Sequence, residues 1–190
     1  MIREVEYFDQ PGPPNTRRCV EICKDALGSD INDLVVASTT GSVGVQFCRA
    51  LSKSSGLNLV VVTHSAGFKE SGTQELMPEN REEIESLGGK ILTATILTHS
   101  LETSLAKQHS GAYPTIIIAQ TLRRLGQGMK VCCEIVMEAC DAGLIPEGKD
   151  VLSVGGTAYG ADTVCIIRSA VSKRFLDLHV REILAKPREW

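Results

Sequence analysis

The run Ser38-Thr39-Thr40-Gly41-Ser42-Val43-Gly44 carries the clearest chemistry in this chain of 190 residues. Three consecutive hydroxyls lead into Gly-Ser-Val-Gly, directly after the apolar segment Leu34-Val-Val-Ala37. Where a strand gives way to a helix, such a turn gathers small hydroxyls, free backbone N–H groups and the positive end of the helix dipole. That combination binds phosphate or another anion. No lysine follows the glycines, so the run is not a Walker loop, and the Gly-x-Gly-x-x-Gly dinucleotide spacing is absent. A side chain at Gly41 is expected to block backbone approach to the anion while leaving the sheet intact.

Other residues extend the candidate site. His64 follows the valine-rich segment ending at Thr63, and it suits either hydrogen bonding to a phosphate or proton transfer near neutral pH. It is the one catalytic candidate; His99, His109 and His179 rank below it. Gly126-Gln127-Gly128-Met129-Lys130 opens a helix with a lysine in its first turn, where a cation opposes the dipole unless an anion lies nearby. Gly128 and Lys130 are therefore a second candidate contact, against the plainer reading of a flexible connection with an exposed lysine. Arg123 and Arg124 are explained by dipole complementarity at a helix end. Gly155-Gly156-Thr157 starts a glycine-rich loop to Asp162 that is longer than a hairpin needs. Asp162 is open between a ligand contact and a loop cap. Gly67 to Gly72, with Phe68, reads as a mobile flap over the same edge.

The elements that must position these residues follow from patterning. Ile2 to Phe8 reads as a short strand, followed by the stiff connector Pro11-Gly12-Pro13-Pro14. Asn15 or Thr16 caps a helix, with Gly28 as its left-handed C-terminal residue. Leu34 to Ala37, Leu57 to Thr63 and Lys90 to Leu97 read as strands, separated by a helix with Val43, Phe47, Cys48 and Leu51 on one face and a charged helix opened by Pro78. Pro114 begins another helix, and a further helix runs from about Met129 to Ala142. Val151 to Val154 and Thr163 to Arg168 are the closing strands. Alternating strands and helices predict an α/β fold, a three-layer, doubly wound, mostly parallel sheet in a single domain over residues 1–190, its core spanning about 15–168. The loop between the closing pair is too short for a parallel crossover, so the last strand must run antiparallel. The tail from Ser172 to Trp190 fits a helix or a strand, and a strand paired with the N-terminal one is favoured.

Composition narrows the setting. A net charge of −3 argues against sequence-independent nucleic-acid binding. No apolar run nears the ~18 residues of a membrane span, and the start at Met1 is too polar for a signal peptide. A cytoplasmic protein that binds neither nucleic acid nor membrane is expected, with a homo-oligomer left open. The seven cysteines contain no Cys-x-x-Cys pair and read as buried small hydrophobes, with no metal implied.

Taken together, the strand, Ser38-Thr-Thr-Gly-Ser42, the helix, the valine-rich strand ending Val62-Thr63, and the hairpin Gly148-Lys-Asp-Val-Leu-Ser-Val-Gly-Gly-Thr157 resemble the C-terminal domain of pyruvate kinase, closest to its stand-alone alpha/beta domain family. The resemblance covers about Asn15 to Arg168. It implies a five-stranded sheet in the order 3-2-1-4-5 with the last strand antiparallel, and a regulatory domain that binds fructose 1,6-bisphosphate through the loops matching Ser38 to Ser42 and Gly155 to Asp162. It implies no pyruvate kinase activity, because the catalytic barrel alone takes ~200 residues or more. The first loop is also similar to the Thr/Ser-x-Thr-Gly-x-Thr phosphate loop of flavodoxins.

The expected function is thus binding of a phosphorylated small molecule at the loop after the first central strand. Flavin mononucleotide (FMN) leads and a sugar phosphate follows. The predicted contacts are Ser38, Thr39, Thr40, Gly41, Ser42, Val43, Gly44, His64, Gly128, Lys130, Gly155, Gly156 and Thr157. Phe68, Tyr113 and Tyr159 are candidates to face a flavin ring. The alternatives are an enzyme using the same pocket, either a flavin-dependent reductase or a hydrolase of a phosphorylated metabolite, and a regulatory or subunit-interaction module.

Overall fold

The computed structural model describes residues 2–28 and 30–189. Met1 and Trp190, the two ends to which the signal-peptide and tail readings reached, lie outside the described residues.

The strands are β1 (Glu6–Phe8), β2 (Asp33–Ala37), β3 (Asn58–His64), β4 (Lys90–Ala94), β5 (Asp150–Gly155), β6 (Thr163–Arg168) and β7 (His179–Pro187). They form one seven-stranded sheet in the order β1-β7-β6-β5-β2-β3-β4. The helices are α1 (Thr16–Ala26), α2 (Ser42–Leu51), α3 (Pro78–Ser86), α4 (Leu101–His109), α5 (Pro114–Leu122) and α6 (Gln127–Asp141). None of the helices among the described residues is long and apolar enough to cross a membrane.

Strand period and burial explain the layering. Leu34, Val36, Val61, Leu152 and Val154 point into one core with Cys19, Cys23, Phe47 and Leu51 of α1 and α2. The intervening Val35, Val60, Val62 and Val151 point into a second core with Met129, Cys132, Val136 and Ala139 of α6. Alternate residues thus serve opposite faces, as the two-residue period of a strand requires. All seven cysteines are free and buried, as their spacing suggested.

Sheet directions follow the connections. β2 pairs in parallel with both β3 and β5, and β3 with β4. β5 and β6 are antiparallel, from Asp150 opposite Arg168 to Gly155 opposite Thr163, as the short loop between them dictated.

The sheet has seven strands rather than five. The tail forms β7, paired in parallel with the N-terminal strand β1 as the sequence favoured and antiparallel to β6, so both segments extend the sheet beyond the 15–168 core. The physical reason is that β6 would otherwise be an edge with unpaired backbone groups. Two local expectations change as well. α1 ends at Ala26 with Leu27 in an extended conformation, and Gly28 is not among the glycines with positive φ. The third strand stops at Ala94, followed by a 3₁₀ turn (Leu97–His99) and then α4, which the sequence reading passed over.

Candidate functional site

A cleft of about 630 Å³ opens beyond the C-terminal ends of β2, β3 and β5. β2 is flanked by β3 on one side and β5 on the other. That is the reversal point at which doubly wound sheets hold ligands.

Its first wall is the loop from β2 to α2. Ser38, Thr39, Thr40, Ser42 and Val43 line the cleft. The buried Ser38 Oγ accepts the N–H of Gly44 at 3.0 Å, which caps the first turn of α2 from the preceding strand. The amides of Ser42 and Val43, earlier in that turn, have no intrahelical acceptor. The loop is fixed from outside: the Met77 amide and the Asn80 side chain both donate to the Thr40 carbonyl, at 3.2 and 2.8 Å. Gly41, at φ 90, turns the chain into the helix. A Cβ there would lie 2.6 Å from Asn80 Cβ and 2.8 Å from Leu76 Cδ1, so Gly41 faces the start of α3 and not the cleft. Gly44 likewise serves packing, since its Cβ would meet Val61 Cγ1 at 2.7 Å.

The second wall carries His64, at the end of β3. Its Nδ1 is 2.9 Å from Glu75 Oε2, and its Nε2 is 3.4 Å from Thr39 Oγ1. A carboxylate on Nδ1 selects the tautomer with hydrogen there and leaves the Nε2 lone pair toward Thr39. Phe68, on the predicted flap, packs between two histidines, 4.3 Å from the His64 ring and 6.3 Å from that of His99.

The third wall is the start of α6 and the turn before α4. Lys130, Glu134 and Glu138, spaced four apart, share one helical face toward the cleft and are all buried. Lys130 forms an ion pair with Glu134. Glu134 also accepts the Thr98 amide at 3.1 Å and the Thr98 hydroxyl, and Glu138 accepts the Leu97 amide at 3.4 Å. His99 Nδ1 lies 3.0 Å from Thr98 Oγ1 and 3.5 Å from Lys130 Nζ, and its Nε2 lies 3.5 Å from an Arg123 guanidinium nitrogen. Burial, reinforced by Lys130, pushes the His99 imidazole below its usual range. Burial also lowers the Lys130 ammonium, against the pull of Glu134. Burial and the neighbouring Glu134 raise the Glu138 carboxyl to about 7.

The fourth wall is the β5–β6 loop, through Gly156, Ala158, Tyr159 and Gly160. Gly156 cannot carry a Cβ, which would sit 2.2 Å from the Gly160 carbonyl oxygen as the loop folds on itself. The buried Asp162 resolves as the loop's anchor: its carboxylate accepts the amides of Gly12 and Thr157 at 2.8 and 3.0 Å and the Thr163 hydroxyl at 2.8 Å.

Of the predicted contacts, Ser38, Thr39, Thr40, Ser42, Val43, His64, Lys130 and Gly156 converge on the cleft. Gly41, Gly44, Gly128, Gly155 and Thr157 do not line it. Gly128 and Gly155 let α6 press against the hairpin: a Cβ on Gly128 would lie 2.1 Å from Thr163 Oγ1, and one on Gly155 2.4 Å from the Gly128 carbonyl oxygen. Lys130 is neither exposed nor unpaired, so the flexible-connection reading fails. Tyr113 is absent from the lining, while Phe68 and Tyr159 belong to it. Glu75, His99, Arg123, Glu134 and Glu138 were not singled out as contacts. Only the four-residue spacing of Lys130, Glu134 and Glu138, inside an otherwise apolar helix, offered a readable signal.

No family model matches the chain. One solved structure, a crystal structure of O-ureido-L-serine synthase, is 20% identical to it and has a TM-score of 0.31. The match covers 72% of this chain and 42% of that one, so the chain spans well under half of that protein. A likeness of that size has no bearing on what the cleft holds.

Proposed function

We propose that the cleft binds a phosphorylated small molecule, with the phosphate at the Ser38 to Val43 loop. The observation that carries this is that four hydroxyl-bearing residues, Ser38, Thr39, Thr40 and Ser42, line the cavity at the start of α2, where first-turn amides lack intrahelical acceptors. A volume of about 630 Å³ lies inside the ~300–1,000 Å³ range of small-molecule pockets. FMN leads the list, because the exposed rings of Phe68 and Tyr159 give the cleft aromatic surface. A sugar phosphate is next. The test is titration of the protein with FMN, followed by flavin fluorescence, and with a sugar phosphate, followed by calorimetry. Saturable binding displaced by inorganic phosphate is expected. A protein that is colourless as purified and ignores added FMN removes the flavin, and one that ignores every phosphorylated probe removes the reading.

The chain's core also supports membership of the pyruvate kinase C-terminal domain-like family, as a proposal. Counting from β2, the strands β4-β3-β2-β5-β6 run in the order 3-2-1-4-5 with the last antiparallel.

A second reading, hydrolysis of a phosphorylated metabolite in the same cleft, is favoured by the chain Glu75–His64–Thr39. A base oriented by a carboxylate and facing a hydroxyl is the general signature of an activated nucleophile. His64 Nε2 would take the proton from the attacking hydroxyl or water. Phosphate release that survives His64→Ala would reject this role.

A further inference from the structure

The buried lysine opposite the phosphate loop calls for its own explanation. Lys130 is 3% exposed, yet it belongs to the cleft wall, and its Nζ is surrounded by groups that can move protons. A lysine taken out of water loses much of its preference for the charged form, and the neutral amine is a nucleophile. Burial is the main cause of the lowered Lys130 pKa; Glu134 pulls the other way, and the Arg123 guanidinium adds a smaller downward push.

The surroundings define a proton path. Thr98 gives its hydroxyl hydrogen to Glu134, so its oxygen is left to accept from His99 Nδ1. His99 then presents the Nε2 lone pair to Arg123. His99, Thr98, Glu134 and Lys130 thus form one connected series. Glu134 contacts the Lys130 ammonium directly.

We propose that Lys130 condenses with the carbonyl group of the bound molecule, which selects the sugar phosphate, in its open-chain aldehyde or ketone form, over FMN as the ligand of this cleft. The inference rests on the phosphate reading of the Ser38 to Val43 loop, which holds the other end of the same molecule. Glu134 takes one proton from the ammonium, and the freed Nζ electron pair attacks the carbonyl carbon. The C=O π bond opens, and a second proton passes from nitrogen to oxygen to give a carbinolamine. Glu134 returns its proton to that hydroxyl, the C–O bond breaks, and water leaves. A protonated C=N bond remains, and the Glu134 carboxylate is regenerated beside it. No oxidant or metal is needed. The positive charge of the product sits where the ammonium sat, so the buried carboxylate keeps its partner.

Borohydride trapping tests this. The protein is incubated with glyceraldehyde 3-phosphate or with unphosphorylated glyceraldehyde, reduced, digested and mapped by mass spectrometry. We expect a reduced adduct on Lys130, formed about tenfold or more faster with the phosphorylated aldehyde, the worth of one or two charge-assisted hydrogen bonds to phosphate. Lys130→Arg keeps the cation beside Glu134 but cannot form the adduct, so it should remain folded and unlabelled. If that variant does not fold, the peptide map of the unaltered protein decides alone. Equal labelling of Lys130 by both aldehydes would support the condensation and remove the phosphate loop from it. Adducts confined to exposed lysines, with Lys130 untouched, would overturn the proposal. Calorimetry with glycerol 3-phosphate, which carries the phosphate but no carbonyl, shows separately whether the phosphate reading survives.

Discussion

His64 Nδ1 and Glu75 Oε2 lie 2.9 Å apart, which joins the end of β3 to the loop that runs toward α3. The pairing fixes the imidazole tautomer and turns Nε2 toward Thr39. It also ties the loop bearing Phe68 to the sheet, so the flap and the histidine are parts of one device.

The first prediction follows from that contact. Glu75→Ala and His64→Ala should each weaken binding of a phosphorylated ligand by about tenfold, because each breaks the Glu75–His64–Thr39 chain that holds Thr39 in the phosphate loop. Both residues are partly exposed, so thermal midpoints should barely move. Calorimetry with a sugar phosphate measures the first effect and thermal unfolding the second. Unaltered affinity in both variants would place the ligand away from β3.

Glu138 predicts a pH effect of defined sign. Its carboxyl is raised from 4.5 to about 7 in the fold, by burial first and by Glu134 second, with Lys130 and the Leu97 amide opposing. Between those values the native protein holds a proton that the unfolded chain has released. Stability therefore falls as pH rises through this window and levels off above about 7. Glu138→Gln should remove that slope and gain up to about 3 kcal/mol at pH 8, with little change at pH 4. Urea unfolding at the two pH values checks it, and an equal gain at both would contradict it.

Gly41→Val should act through the fold. The position has φ 90, and its Cβ would press on Asn80 and Leu76, not on a ligand. Backbone strain and overpacking together should cost about 2–5 kcal/mol, with binding lost because the loop is displaced. This corrects the expectation that a side chain there would simply obstruct the anion. A variant with unchanged stability and lost affinity would restore that expectation.

The cysteines give a probe of integrity. All seven are buried, and burial pushes Cys133 up to about 12 and Cys48 up to about 11. Iodoacetamide at pH 8 should leave the native protein unmodified and add seven groups after denaturation. Rapid labelling of any one cysteine in the native state would show a local opening at that position.

The legible parts of this sequence are those with short-range causes. The β2–α2 loop announced itself through consecutive hydroxyls before Gly41, and the antiparallel β5–β6 pair through a connection too short to cross over. The buried cysteines followed from spacing alone. The rest depended on contacts between distant segments. Glu75 looks like any charged loop residue until β3 brings His64 to it. Gly128 and Gly155 resembled ligand contacts, but what excludes a side chain at each is the other segment's close approach. The dipole argument at Lys130 pointed to an anionic ligand or an exposed lysine, whereas the negative partner in the fold is Glu134, one turn along the same helix. α4 was missed because His99 to His109 has no strong apolar stripe, and only Leu101 and Leu105 mark it, both largely exposed.

The central claim is that the amides at the start of α2 receive a phosphate, and amide-resolved NMR tests it most directly. Titration with inorganic phosphate, with FMN and with a sugar phosphate should shift the Ser42 and Val43 N–H signals saturably, with smaller shifts at Thr39 and Thr40. Replacing Ser42 and Thr39 by alanine and valine should weaken that response. If those amides stay still under all three ligands, or if the shifts gather elsewhere on the surface, the account is wrong.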